Sequence, residues 1–422
     1  WNRDTGKLWV GSMINGHSLT RGAMARSMAT LFSGSIVAQG MTALALLLTA
    51  RQLGVDGYGQ YAACIAITSL ASILFSLGLD LWLLREGGRT VDRLPAYTGS
   101  VLGIKALFGL AWMAAFFLLA PLLKQETYPA SLLRWSVGLI WLDTLFGSLL
   151  TAFKAALRNR VPSILEASAD IVWCGLTVGL IGLGIRQPGT YIIIRVLVSS
   201  TALIVGLFLL RRLIGLKFEF GVARQALRGA FPFAASEFLA MITMRADVVI
   251  VGLTLGKTAT GLYSPAVGLI NMAFLAPLAI YLVAVPVLSN LYLHNPAQAR
   301  KTARRTILLS LALGLLLSIL FVAGAPVILY ILGPAYQGSV DILRILSLVL
   351  FFKSGSLAIA AVILATDQQS RRTGVQAAAA LINIGANWLV VNWLGIQGVA
   401  GVYVLTEIIL LAGYAWIVRR KL

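Results

Sequence analysis

Cysteine, histidine and acidic residues are all scarce in this chain. Its 422 residues include 2 Cys, 2 His and 15 Asp and Glu together. Cys64 and Cys174 lie far apart within apolar stretches, which excludes a disulfide framework and the paired spacing of a zinc site. His17 and His294 are isolated, and no glycine-rich loop for ATP phosphates is present. The sequence therefore predicts no metal site and no cofactor.

Charge is also scarce, whereas long apolar stretches are abundant. Charged residues make up 12% of the chain and hydrophobic residues 59%, although a soluble protein carries about a quarter charged residues. About 20 apolar residues cross a bilayer as a helix, the form that satisfies the backbone in lipid. We therefore predict an all-α polytopic membrane protein with about 12 transmembrane helices. The predicted spans are 29–49, 61–84, 99–121, 131–153, 162–184, 191–213, 230–253, 262–292, 306–332, 340–365, 375–393 and 396–418.

The basic residues between these spans are distributed unevenly. A formal net charge of +19 suggests a nucleic-acid partner. However, if the amino terminus is cytoplasmic, 24 of the 34 Lys and Arg lie on the cytoplasmic side and only five lie in the outer connections. This is the asymmetry of the positive-inside rule. It predicts cytoplasmic termini, contacts with membrane lipids and no nucleic-acid partner.

A loop motif occurs twice, 202 residues apart. The segments Leu53–Tyr61 and Leu255–Tyr263 both have the pattern Leu-Gly-x4-Gly-x-Tyr. The alternative is that both are only tight glycine turns between helices. The repeat predicts two six-helix lobes related by a pseudo-two-fold axis along the membrane normal. Their predicted limits are 29–218 for the N-lobe and 219–422 for the C-lobe, after a cytoplasmic tail over 1–28.

Several short motifs, in the same order along the chain, carry a resemblance to a known family. They are Ala50-Arg51-Gln52-Leu53-Gly54, Gly57 to Ala62, Gly78 to Glu86, Arg245-Ala246-Asp247, Gly261 to Ser264, Pro286 to Ser289, Leu343 to Leu346, and Asn383 to Asn387. The chain thereby resembles the flippases of O-antigen and exopolysaccharide synthesis, within the multidrug/oligosaccharidyl-lipid/polysaccharide superfamily. Relatives that flip peptidoglycan precursor carry arginines early in helix one. This chain has Ser33, Ser35, Gln39 and Thr42 there.

The resemblance implies a function, a location and partners. The function is translocation of an undecaprenyl-pyrophosphate-linked oligosaccharide from the cytoplasmic to the outer leaflet of the bacterial inner membrane, by alternating access. A polysaccharide polymerase is an implied partner. The alternative is a small-molecule or drug antiporter of the same superfamily. An enzyme is disfavoured because the sequence has no Asp-x-Asp pair, no histidine within a predicted span and no large extramembrane loop.

Charged residues within predicted spans are the candidate site, since a charge at the bilayer centre costs about 2.5–3.5 kcal/mol. A cationic cavity for the pyrophosphate is predicted from four basic residues. They are Arg245, Lys353, Arg195 and Lys105. The alternative is internal ion pairing, such as Lys353 with Glu407, or, for Lys105, snorkelling to an interface. Arg245 and Asp247 should not pair, because two residues along a helix differ in direction by about 160°.

Six carboxylates within or near the spans are candidates for ion coupling or for internal pairing. They are Asp143, Glu166, Asp170, Glu237, Asp247 and Glu407. Arg51 and Lys257 occupy matching outer connections and are candidates for an outer gate. Asp80 and Arg85, with Glu86, are candidates for a cytoplasmic latch. The alternative for these exposed positions is solvated charges whose pairs contribute under about 1 kcal/mol each.

Overall fold

The computed structural model describes the backbone of residues 21–419 and the side chains of 34–419, apart from 232, 236, 240 and 293. Residues 1–20 of the predicted tail lie outside the described part, whereas 21–28 belong to the first helix. Within 21–419 the chain is helical, with no strand. The α-helices are α1 Arg21–Ala71, α2 Ile73–Ser76, α3 Leu79–Arg89, α4 Leu94–Leu119, α5 Ala130–Ala155, α6 Arg160–Gly182, α7 Pro188–Leu213, α8 Phe220–Thr254, α9 Lys257–Ala273, α10 Leu275–His294, α11 Pro296–Gly324, α12 Val327–Leu332, α13 Gln337–Ala365 and α14 Gln369–Val418.

Two of these helices contain a sharp break at a glycine. Gly54 in α1 has φ 68° and Gly395 in α14 has φ 58°, in the left-handed region that suits glycine. Among the described residues, nine helical segments are long and apolar enough to cross a membrane. Two of them, Gly34–Ser76 with 43 residues and Gln369–Val418 with 50, each fit two crossings. Together with α8, the fold is consistent with the twelve predicted crossings.

The helix limits differ from the predicted spans where helices continue beyond the membrane. α11 begins at Pro296, ten residues before the predicted start, because Asn295 caps it by accepting from the Gln298 N–H at 3.1 Å. The predicted eighth span is divided between α9 and α10 at Phe274, close to Pro277. α8 begins at Phe220 rather than at 230, because the basic segment after Glu219 is itself helical.

Packing follows the two halves, with contacts between them at both ends of the bundle. In the first half α1 packs on α6 and α5 on α7, and in the second half α13 packs on α10, α11 and α14. The largest apolar core contains Tyr58 and Tyr61 from the first half together with Tyr263 and Tyr336 from the second. The start of α8, at Val222 to Ala230, instead packs in a core of the first half beside Trp82.

Candidate functional site

The two copies of the loop motif contact each other where the halves meet, at the predicted outer side. Gly59 and Gly261 occupy equivalent motif positions, 202 residues apart. A Cβ atom at Gly59 would overlap the carbonyl oxygen of Lys257, and one at Gly261 would overlap that of Val55. Val55 and Lys257 are also equivalent positions. This reciprocal contact is the arrangement expected around an internal two-fold axis.

Polar contacts reinforce this outer junction. The Thr258 hydroxyl donates to Asp56 Oδ1 at 2.6 Å, and the Lys257 ammonium lies 3.5 Å from Asp56 Oδ2 and 3.6 Å from Glu126 Oε1. The Tyr336 hydroxyl donates to the backbone carbonyl of Ala50 at 2.6 Å. Of the two predicted outer-gate residues, Lys257 is therefore placed across the junction between halves. Arg51 is exposed and has no ion pair among the described residues.

The inner side differs from the predicted latch. The Lys105 ammonium lies 2.7 Å from Asp80 Oδ2, and the Ser148 hydroxyl donates to Asp80 Oδ1 at 2.5 Å. Lys105 is completely buried, so the expectation that it snorkels to an interface is wrong. The reason is that α3 brings Asp80 against it and compensates the charge inside the core. Of the three predicted latch residues, Arg85 lies 3.8 Å from Glu86 and over the ring of Phe233, whereas Asp80 pairs with Lys105.

Glu237 joins the halves at this inner side. Its Oε2 accepts a hydrogen bond from the Gly78 N–H at 2.8 Å. Gly78 has φ 70° and lies where α8 passes so closely that a Cβ would overlap the backbone of Phe233 and Ala234. The turn at Gly78, between α2 and α3, therefore packs directly on α8, and its N–H group donates to the Glu237 carboxylate.

A second polar cluster lies in the second half, between α8, α9, α13 and α14. The Lys353 ammonium donates to the Tyr403 hydroxyl at 3.0 Å, lies 3.7 Å from Glu407 Oε1 and stacks over the Phe274 ring at 4.7 Å. The Lys353 side chain keeps 19% exposure, whereas Glu407 keeps 3%. Pairing of Lys353 with Glu407, the alternative from the sequence, is what the structure shows.

Arg245 is the exception among the four predicted cations. It is exposed, and within 34–419 it forms no ion pair. Asp247 is buried and accepts from the Tyr263 hydroxyl and from the Val248 N–H, both at 2.8 Å. The two thus do not pair, as the helix geometry predicts. The neighbouring Ala246 packs in a small apolar cluster with Leu70 of the first half. Arg245 therefore lies near the boundary between the halves, and its side chain is exposed.

The first half contains a polar cavity of about 250 Å³ between α5, α6 and α7. The Arg195 guanidinium lies 2.6 Å from Asp170 Oδ1 and stacks on the Trp173 ring at 4.4 Å. The Ser199 hydroxyl donates to Asp143 Oδ1 at 2.7 Å. With Glu166, the lining has three carboxylates and one guanidinium. The lining of the cavity is therefore acidic, and Arg195 forms an ion pair with Asp170 of the same half.

Sequence reasoning missed the hydroxyl groups of these clusters. Tyr403 lies four residues before Glu407, and Ser199 lies four residues after Arg195, so helix periodicity places each pair on one face. That spacing is a usable signal. Ser148 and Tyr263 have no candidate charged residue three or four positions away, and only the packing of separate segments brings them to Asp80 and Asp247.

The sequence profile described as "Polysaccharide biosynthesis protein" matches residues 48–341. Among curated proteins no match is found. Several solved structures share the fold. One is an inward-facing multidrug resistance MATE family transporter of the MOP superfamily, with TM-score 0.71 at 15% identity over 91% of this chain and 94% of that one.

Two further solved structures extend this likeness. The eukaryotic MATE transporter AtDTX14 has TM-score 0.68 at 16% identity, covering 94% of this chain and 95% of its own. A MOP superfamily transporter from Pyrococcus furiosus, whose description states a reversed polarity of the binding pocket, has TM-score 0.64 at 13% identity, covering 94% and 95%. The fold is thus that of MATE and MOP transporters.

Proposed function

Because the chain belongs to the polysaccharide biosynthesis protein family and has a transporter fold, we propose that it is a flippase for a lipid-linked oligosaccharide. The cargo would be an undecaprenyl-pyrophosphate-linked sugar unit, carried from the cytoplasmic to the outer leaflet. Both termini would lie in the cytoplasm, in agreement with the basic residues of the inner connections. The chain is a multi-pass membrane protein, and family and fold point to transport rather than to catalysis.

The observation that carries the proposal is that two cations of predicted spans, Arg245 in α8 and Lys353 in α13, remain accessible. Arg245 is exposed and Lys353 is partly exposed. A guanidinium offers paired donors to phosphate oxygens, and an ammonium adds a point charge. Each side chain could therefore donate to a phosphate oxygen of the cargo. Lys105 forms an ion pair with Asp80, and Arg195 forms one with Asp170. We therefore propose structural roles for both and do not include them in the proposed binding site.

The junctions between halves support alternating access. Backbone contacts at Gly59 and Gly261 join the halves at the predicted outer side, and the Glu237–Gly78 hydrogen bond joins the middle of α8 to the start of α3. Movement of one half relative to the other would break one junction while keeping the other. The lipid tail would remain in the bilayer while the sugar crosses between the halves.

A drug antiporter is the second candidate, and the acidic cavity of the first half favours it. Asp143, Glu166 and Asp170 outnumber Arg195 there, which suits an organic cation or a coupling ion. The flippase would bind its cargo in the second half, whereas the antiporter would bind its cargo in the cavity of the first half. Substitutions confined to one half therefore distinguish the two functions.

The test is a leaflet-translocation assay in vesicles, with a defined undecaprenyl-pyrophosphate oligosaccharide as cargo. We expect Arg245→Ala and Lys353→Ala each to slow translocation about tenfold or more, since a hydrogen bond to a charged group contributes about 1.5–3 kcal/mol. Arg344→Ala is the matched control, because Arg344 is exposed and pairs only within α13 with Asp341. Wild-type rates in both Arg245→Ala and Lys353→Ala would refute the cationic site. Ethidium transport without lipid translocation would establish the antiporter instead.

A further inference from the structure

The cationic site contains its own negative charges. Lys353 lies 3.7 Å from the Glu407 carboxylate, and Asp247 lies two residues after Arg245 in α8. The proposed site therefore contains as many carboxylates as cations. This matters because an uncompensated ammonium away from water is strongly destabilising.

The two carboxylates are held in different ways. Asp247 accepts two hydrogen bonds of 2.8 Å, from Tyr263 and from the Val248 N–H, and is fixed to α8 and α9. Glu407 approaches Lys353 only to 3.7 Å. The structural pairs elsewhere are much closer, at 2.7 Å for Lys105–Asp80 and 2.6 Å for Arg195–Asp170. The contact between Lys353 and Glu407 is thus the loosest of the three pairs.

The geometry also leaves the ammonium open to a second anion. An ammonium has three donors, and one of those of Lys353 is used by the Tyr403 hydroxyl at 3.0 Å. Lys353 keeps 19% exposure, whereas Glu407 keeps only 3% and is covered by its surroundings. The Lys353 side chain is therefore more accessible to an anion than the carboxylate of Glu407 is.

We propose that Glu407 is an internal counter-anion, which holds Lys353 in the empty transporter and is displaced from it when a phosphate of the cargo binds. The proposal rests on the function proposed above. Glu407 keeps the unloaded site neutral, and by competing with the cargo it lowers cargo affinity. A transporter needs such weakening, because its cargo must leave as well as enter.

The experiment measures binding of farnesyl pyrophosphate, a short polyprenyl pyrophosphate, to the purified full chain in detergent by calorimetry, with farnesol as the uncharged comparison. We expect Glu407→Gln to bind about tenfold more tightly than wild type, because Lys353 is then uncompensated. Lys353→Gln should bind more weakly than wild type. The double variant should bind no more tightly than Lys353→Gln alone. Asp341→Asn makes the same charge change at an exposed position of α13 and should not alter affinity.

The outcomes separate this inference from the proposed function. Unchanged or weaker binding by Glu407→Gln, with Lys353→Gln still weakened, would overturn the counter-anion while leaving the anionic cargo intact. Equal binding of farnesyl pyrophosphate and farnesol by wild type would overturn both. If Glu407→Gln does not fold, Glu407→Asp retains the charge but withdraws it from Lys353. That variant should also bind more tightly, and unchanged affinity there would overturn the inference.

Discussion

Gly59 and Gly261 each lie against the backbone of the other's motif, Gly59 at Lys257 and Gly261 at Val55. Since Val55 and Lys257 are themselves equivalent, one contact occurs twice around an internal axis. The repeat in the sequence is therefore also the junction between the halves in the structure. No larger residue fits at either glycine without moving backbone.

Substitution of Gly261 should open the outer junction. Gly261→Ala introduces a Cβ that overlaps the Val55 carbonyl, and such overpacking costs about 1–3 kcal/mol. We expect faster labelling of a cysteine introduced at the buried Thr260 by an impermeant maleimide added from outside. Gly268→Ala, in the same helix, meets open space and is the matched control. Equal labelling in both alanine variants would show that the glycine contact does not close this side.

The Lys105–Asp80 pair should be important for stability rather than for cargo. Asp80→Asn removes the ion-pair partner of the completely buried Lys105. Breaking a fully buried pair costs about 3–5 kcal/mol, and the cost here should be smaller because the Asp80 side chain is 31% exposed. We expect a clearly lower melting temperature in detergent, with recovery in the double variant Asp80→Asn and Lys105→Met. Glu219→Gln, in an exposed pair with Lys217, should have little effect. A stable Asp80→Asn protein with impaired cargo binding would assign Lys105 to the cargo after all.

Glu237 should act through its acceptor oxygen. Glu237→Ala removes the partner of the Gly78 N–H, whereas Glu237→Gln retains an acceptor at the same place. We therefore expect the alanine variant to translocate more slowly and the glutamine variant to remain close to wild type in the vesicle assay. Loss of transport in both variants would indicate that the negative charge itself is required, as for a proton carrier.

Arg195 should stabilise the first half, and a lysine at this position should restore that stability only partly. Arg195→Ala leaves Asp143, Glu166 and Asp170 facing one another in the cavity, so unfolding should occur at lower temperature. Arg195→Lys restores the charge but not the flat contact with Trp173, and intermediate stability is expected. Thermal unfolding followed by tryptophan fluorescence measures both. Full stability of the alanine variant would show that Arg195 is not needed to balance these carboxylates.

Hydrophobic length and charge asymmetry predicted the class and the arrangement of the helices. The all-α membrane fold is confirmed, and the paired glycine motifs lie at the break in α1 and at the start of α9. Helix ends were less predictable. α11, capped by Asn295, and α8, which begins at Phe220, both extend beyond the apolar stretches, because polar residues are as compatible with a helix outside lipid as apolar ones are within it.

The roles of the charged residues depended on the tertiary structure. The sequence by itself determined which ionisable groups enter the membrane, because membrane insertion of a segment depends on its local hydrophobicity and charge. Only the packing of α3 on α4, of α6 on α7 and of α13 on α14 decided that Lys105, Arg195 and Lys353 meet Asp80, Asp170 and Glu407. Ion pairs form over a few ångströms between separate helices, and spacing along one chain does not specify which helix faces overlap. Arg245, which packing left without such a partner among the described residues, is therefore the cation that the structure singles out.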